Sequence, residues 1–421
     1  MNNRFFAVVG AIMCCTASVL DAQNTRITAS FYVDGAQEHF QHRSHTSIEA
    51  MEQGKSVVYS TGGAELILTR LRMNKTSGGV NDPDRRNTGF NSVLLADGGS
   101  NVMVEYCTVA SHTPQADGIS ATGDGTKIKV IEGAVTMSRA GCSAVNALNG
   151  GYVDMFKTEV NTQSHQSPVF YTYNSGKLDI AEAFGETTGQ SSPLFYSSGT
   201  INGVKCRLSA SGSSIGNVDG GTLTLTSNEL KSGGFCGFVL YGIKSKDVKG
   251  ELNLVKNKIS VSEGPVFFVT NTEGVINVKG NSISCREDDL MLVKGDDWGV
   301  KGSNGGHISF YAEKQSLSGN ITVDSISSMY LELKKSAKLN GRINAAENRC
   351  AEVRVKLDKG SSWTSKGESY LTSIVFTQPV EKGLKQLKGN HTIYYNPDDP
   401  ENAPLGGKEY KTGGGRLVPL K

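Results

Sequence analysis

Three decapeptides decide the reading of this chain: GTLTLTSNEL (residues 221–230), GELNLVKNKI (250–259) and GVINVKGNSI (274–283). Each opens on glycine and places apolar residues two and four positions on: Leu223 and Leu225, Leu252 and Leu254, Ile276 and Val278. Asparagine stands seven residues after the glycine (Asn228, Asn257, Asn281) and an apolar residue nine after it (Leu230, Ile259, Ile283). Alternation with period two is the pattern of a β-strand with one apolar face. Toward the N-terminus the same head recurs as Gly199, Gly176, Gly151, Thr126 and Ser100. Ile201, Leu178, Val153, Ile128 and Val102 follow two residues after these heads. From Ser100 to Gly274 the heads are 26, 25, 25, 23, 22, 29 and 24 residues apart.

Repeats of this length mean a solenoid, a propeller or an array. Leucine-rich repeats need a denser leucine pattern and propeller blades need roughly 40 residues, whereas these units are Val, Ile, Thr and Ser punctuated by glycine. The expected fold is therefore all-β, a right-handed parallel β-helix with an N-terminal cap and a C-terminal β cap. Each turn would give about three short strands, stacked at ~4.8 Å per rung. The asparagines at one bend would then pair amide to amide in a ladder.

With 421 residues, 50 glycines and only 10 prolines, the composition suits many turns within one ordered coil. A formal charge of +2 offers no electrostatic case for nucleic acid. Arg4 followed by the apolar stretch Phe5 to Leu20 reads as a secretory signal peptide ending at Ala22, too short for a membrane span. Secretion makes the remaining cysteines, Cys107, Cys142, Cys206, Cys236, Cys285 and Cys350, candidates for disulfides. The repeat frame argues against it, because Cys107 and Cys206 share one repeat position four rungs apart, ~19 Å by strand spacing, beyond a bridge's reach. Buried thiols are expected instead.

The organisation expected is a signal peptide over 1–22, an N-terminal cap over 23–60, coil rungs over 61–318, shorter rungs over 319–376 and a C-terminal cap over 377–421. Ser47 to Gln53 is the best helix candidate, placed to plug the open end of the coil. An insertion rich in Gly, Asn, Asp and Arg, Ser77 to Asn91, interrupts the early repeats.

Several phrases of the C-terminal half carry a resemblance: Gly264-Pro265-Val266-Phe267, Trp298-Gly299, Gly302 to Gly306, Val323 to Ser328, Gly341 to Asn344, Ser362-Trp363 and Thr392 to Tyr395. Through these the chain resembles a broad family of secreted microbial right-handed parallel β-helix proteins with the pectin-lyase-like fold, over roughly residues 60 to 421. The resemblance implies fold and secretion and brings no catalytic residues. More distant relatives on such a fold include pectin-degrading enzymes, calcium-dependent glycan binders and surface adhesins.

A catalytic set is not legible. Gly295-Asp296-Asp297 matches the acid pair of polygalacturonases, but the Gly-His-Gly and Arg-Ile-Lys that accompany it there have no counterpart. His39, His42 and His45 form a set spaced by three that is either a metal site or a solvated cluster. The densest acidic stretch, Glu287, Asp288, Asp289, Asp296 and Asp297, offers hard oxygens for calcium. Its alternative is a solvated loop neutralised by Arg286 and Lys294. Asp82 and Asp84 in the insertion are a second such candidate.

Aligning Pro168, Pro193, Gly237 and Pro265 puts Phe170, Phe195, Val239 and Phe267 in one column and Tyr171, Tyr196, Leu240 and Phe268 in the next. Adjacent columns face opposite sides of a strand. The Phe column is expected in the core, having no hydroxyl to satisfy. Tyr171, Tyr196 and Phe268 would then face outward as a glycan-stacking track, unless a loop covers them. The functional expectation is a secreted or cell-surface protein that binds extracellular polysaccharide or a host or cell-surface glycan, or acts as an adhesin. A calcium-assisted lyase or glycoside hydrolase acting on acidic polysaccharide is the alternative, and a structural surface component the third.

Overall fold

The computed structural model describes residues 28–37, 40–80, 85–243 and 249–421. It is an all-β parallel solenoid of the right-handed type with about 15 turns. The described residues form two compact units, one of those up to 217 with 228–234 and the other of 218–227 with those from 235 on.

In the first unit, strand Lys127–Met137 lies parallel between Asn101–Ser111 and Tyr152–Thr162, with Val104, Val130 and Met155 in one register column. These side chains and their partners Val102, Ile128 and Val153 are buried, so the positions two and four after each head are the core. Parallel pairing of like repeats stacks like on like, which is why one column of aliphatics runs through successive turns. Ile119–Thr122, Val145–Leu148 and Phe170–Tyr173 form a second parallel face. Glycine heads answer a close approach: a Cβ at Gly176 would collide with the Ala147 carbonyl oxygen.

The corner six residues after each head repeats a left-handed backbone at Arg70, Tyr106, Glu132, Lys157, Glu182 and Lys205 in the first unit. Ser227, Lys256, Gly280 and Lys314 repeat it in the second. Only Gly280 is the residue such a φ favours. The sequence hid this corner behind lysines and glutamates.

The next position holds the ladder. In the second unit the backbone N–H and Nδ2 of Asn257 both donate to Asn281 Oδ1, at 2.9 and 3.0 Å. Asn281 repeats the pair on Gln315 Oε1, at 2.7 and 3.1 Å. Asn257 and Asn281 also donate to the carbonyls of Leu225 and Leu254, each at 2.8 Å. In the first unit Asn228 Oδ1 accepts from the Cys206 N–H at 2.7 Å, and Nδ2 donates to the Gly203 carbonyl at 2.9 Å. Asn257→Leu is expected to cost about 1–3 kcal/mol, since it strips buried backbone groups of their partners. A melting temperature unchanged by that substitution would be incompatible with the ladder.

Cys107, Cys142, Cys206 and Cys236 are buried thiols, as the repeat frame required, while Cys285 is half-buried and Cys350 exposed. Burial pushes the Cys142 and Cys206 thiols up to about 11, which suppresses the reactive thiolate.

Two expectations are corrected. Ser47–Ala50 is a strand, paired in parallel with Arg72–Lys75, and not the start of a helix. Its alternation buries Ile48 and Ala50 and exposes Ser47 and Glu49, so period two outweighs the helix propensity of its neighbours. The alignment through Gly237 slips by one residue, because Phe238, not Val239, is paired with Phe267, and Val239 with Phe268. Residues 1–22, expected to be a signal peptide, and His39, Asp82 and Asp84 lie outside the described residues.

Toward the C-terminus Trp363 is fully buried, and its indole N–H donates to the Gly341 carbonyl at 2.9 Å. The tail returns on itself: Thr392–Tyr395 runs parallel to Arg416–Pro419, which pairs antiparallel with Tyr410–Lys411.

Candidate functional site

The Phe column lies in the core as expected. Phe170 and Phe195 are buried and stacked at 5.4 Å in the first unit, and Phe238 and Phe267 at 5.9 Å in the second. The neighbouring column is not the open track expected of it. Tyr171 is only 6% exposed. Its hydroxyl donates to Asn87 Oδ1 at 2.9 Å, and the Arg86 guanidinium sits 5.7 Å from its ring centroid. Tyr196 is half-buried, its ring centroid 5.0 Å from that of Tyr171, so the two rings engage each other. In the second unit Phe268 is 5% exposed, with the Lys294 ammonium 5.8 Å from its centroid.

The inserted segment is what closes the face over Tyr171. Arg85 Nη1 pairs with Asp117 Oδ2 at 2.9 Å, with both side chains buried, and Nη2 donates to the Gly141 carbonyl. Arg86 Nη2 reaches the Gln166 carbonyl at 2.6 Å, and Asn149 Nδ2 donates to the Asn87 carbonyl at 2.8 Å. The insertion is thus bound down by an ion pair and a row of carbonyls.

The acidic residues do not converge. Asp288 and Asp289 stand at the head of the five-residue strand Asp289–Val293, and Asp296 and Asp297 beyond its end. Asp296 is paired with Lys294 at 3.2 Å, and its Oδ1 accepts from the Asp297 N–H at 2.9 Å. Partial burial, and then Glu287 and Asp288, push the Asp289 carboxyl above its ordinary range. Among the described residues no group of three or more His, Cys, Asp or Glu side chains is placed to hold a metal.

The site that the sequence did not announce lies on another face of the first unit. Strands Tyr152–Thr162, Phe184–Thr187, Arg207–Ala210 and Glu229–Ser232 run side by side. They present two outward columns, Glu159, Phe184, Arg207 and Glu229 in one and Asn161, Glu186, Ser209 and Lys231 in the other. A groove of about 820 Å³ opens here. One residue marks its centre. Gly185 takes the inward position between Val160 and Leu208, where its neighbours bury aliphatic side chains. With φ of 143° and no Cβ, its backbone lies so close to the previous rung that a Cβ would strike the Val160 carbonyl oxygen. Gly185 and the buried Leu208 both line the groove. Beside Gly185, Phe184 is 47% exposed. The signal available in the sequence was a glycine breaking an aliphatic column next to a phenylalanine on the polar face.

The second unit repeats the device on a smaller scale, where Gly274 stands inward between Gly250 and Ile308. The groove there has about 310 Å³ and is lined by Glu273, His307, Ser328 and Glu352 among others. His307 Nδ1 and Ser328 Oγ are 2.9 Å apart.

No helix among the described residues is long and apolar enough to cross a membrane. No protein-family model, curated protein or solved structure matches this chain.

Proposed function

We propose that the protein is a secreted, extracellular glycan-binding β-helix or adhesin, one of the microbial proteins with the pectin-lyase-like fold, and that the groove over Gly185 is its binding site. The observation that carries this reading is the exposed Phe184 ring at the edge of an open groove, surrounded by an amide, a hydroxyl, carboxylates and two cations. Sugars present an apolar face and a fringe of hydroxyls, so recognition needs a flat apolar surface beside groups that both donate and accept hydrogen bonds. Tyr171 and Phe268 are too covered to serve, and of the expected track only Tyr196 retains partial access.

Affinity electrophoresis against polygalacturonate, cellulose and mucin tests the reading. Phe184→Ala is expected to weaken retention by about ten-fold or more, as loss of one stacking contact of ~1.5 kcal/mol would, with the melting temperature essentially unchanged. Absence of retention by the unaltered protein on every glycan would refute the proposal.

A hydrolytic reading has one observation in its favour. Glu159 faces Phe184 from the adjacent strand and Glu186 stands two residues beyond Phe184 on its own strand, so two carboxyls line one groove, and a pair of carboxyl groups is what glycoside hydrolysis requires. Release of reducing ends, lost in Glu186→Gln, would establish it in place of simple binding.

A further inference from the structure

Most charges on the groove of the first unit are already engaged. Asn161 Nδ2 donates to Glu159 Oε1 at 2.9 Å, and Arg207 Nε stands 3.6 Å from Glu229 Oε2. Two are not. Among the described residues, neither the Glu186 carboxylate nor the Lys231 ammonium has a hydrogen-bond or ion-pair partner, and both side chains are exposed on the groove. They belong to one outward column with Ser209 between them, Glu186 facing Ser209 and Ser209 facing Lys231. Two rungs separate them, roughly 10 Å by the strand spacing, a distance comparable to the length of a disaccharide.

The order along the column is fixed by the parallel register of successive rungs: carboxylate, hydroxyl, ammonium. A purely anionic ligand lying along it would gain at Lys231 and lose at Glu186, a purely cationic one the reverse, and a neutral one would use neither charge. Only a ligand that bears both signs satisfies both ends. Resting on the glycan-binding reading of this groove, we infer that its ligand is an amphoteric oligosaccharide. A free amino sugar lies against Glu186, an acidic residue bearing carboxylate or phosphate lies against Lys231, and Phe184 packs on the ring between Glu159 and Arg207.

The test is calorimetric titration of the whole chain at low ionic strength, where screening is weakest. The probes are four hexasaccharides: alternating glucosamine and glucuronate, its N-acetylated form that is anionic only, a glucosamine oligomer that is cationic only, and a neutral glucose oligomer. The amphoteric probe is expected to bind tightest, with each charge contributing up to about five-fold, as partly exposed ion pairs do. Glu186→Gln should erase its advantage over the N-acetylated probe. Lys231→Met should erase its advantage over the glucosamine oligomer. Each substitution should weaken the neutral oligomer less than the amphoteric probe, and neither should alter the melting temperature, since both side chains are exposed. Equal affinity for the neutral and amphoteric probes, or indifference of the amphoteric probe to both substitutions, would overturn the inference. If that equal binding still depends on Phe184, the glycan-binding reading survives. If no probe binds, the inference fails, and silence of the polysaccharide panel as well removes the reading beneath it.

Discussion

Replacing Arg85 by alanine is expected to destabilise the first unit by about 3–5 kcal/mol, the cost of leaving one partner of a buried ion pair alone. The Asp117 carboxylate is fully buried, and its remaining protein partner is the Ser143 N–H at 2.7 Å. Without the guanidinium that buried group loses its ion-pair partner. The Gly141 carbonyl loses its partner as well, so the inserted segment should lift from the face it covers. Tyr171 would then gain exposure, and faster hydrogen exchange across Phe170–Tyr173 would accompany the lower melting temperature. The double change Arg85→Ala with Asp117→Asn is expected to recover a substantial part of the loss, because asparagine removes the stranded charge and still accepts from Ser143. A single-mutant effect of only a few tenths of a kcal/mol, the size of a surface change, would mean that the pair is solvated and the insertion loosely held.

Trp363→Ala should be of similar size in the second unit, about 3–5 kcal/mol, because it removes the largest fully buried side chain and leaves a cavity. It also strips the Gly341 carbonyl of the indole N–H. Trp363→Phe separates the two parts, filling most of the space while leaving the carbonyl unpaired, and should cost less than half as much. In a solenoid each rung leans chiefly on its neighbours. Hydrogen exchange should therefore quicken first in Lys338–Asn340 and Leu387–Lys388, the strands flanking Ser362–Thr364. Uniform loss of protection across the whole unit would contradict that local picture.

The repeats were legible because a parallel coil makes chemistry periodic. Leu252, Ile276 and their equivalents must be apolar, and Asn257 and Asn281 must be amides, for the same reason in every turn. What escaped were features that break or ignore the period. Gln315 joins the ladder through a longer amide, which a search for asparagine passes over. The left-handed corners at Lys157 and Lys256 are imposed by the path of the coil and leave no mark on residue type. Tyr171 was read as outward correctly in its parity, yet outward is not exposed when an insertion some eighty residues earlier lies across it. The acids around Asp289 and Asp296 are close in sequence but placed at opposite ends of a strand, where five extended residues hold them apart. The groove went unseen because the glycine at its centre, Gly185, looked like one more turn glycine among the chain's 50.

That glycine separates two properties that most binding sites inherit together. Along the strand Phe184–Thr187 alternate residues serve opposite sides, so Gly185 lines the groove from the inward side while the groups proposed to meet a ligand, Phe184 and Glu186, stand on its outer rim. Shape is written in the backbone and affinity in side chains that the core never touches. On the proposed function, a lineage carrying this strand is free to exchange its rim residues, and with them its ligand, without renegotiating the packing that keeps the turn closed.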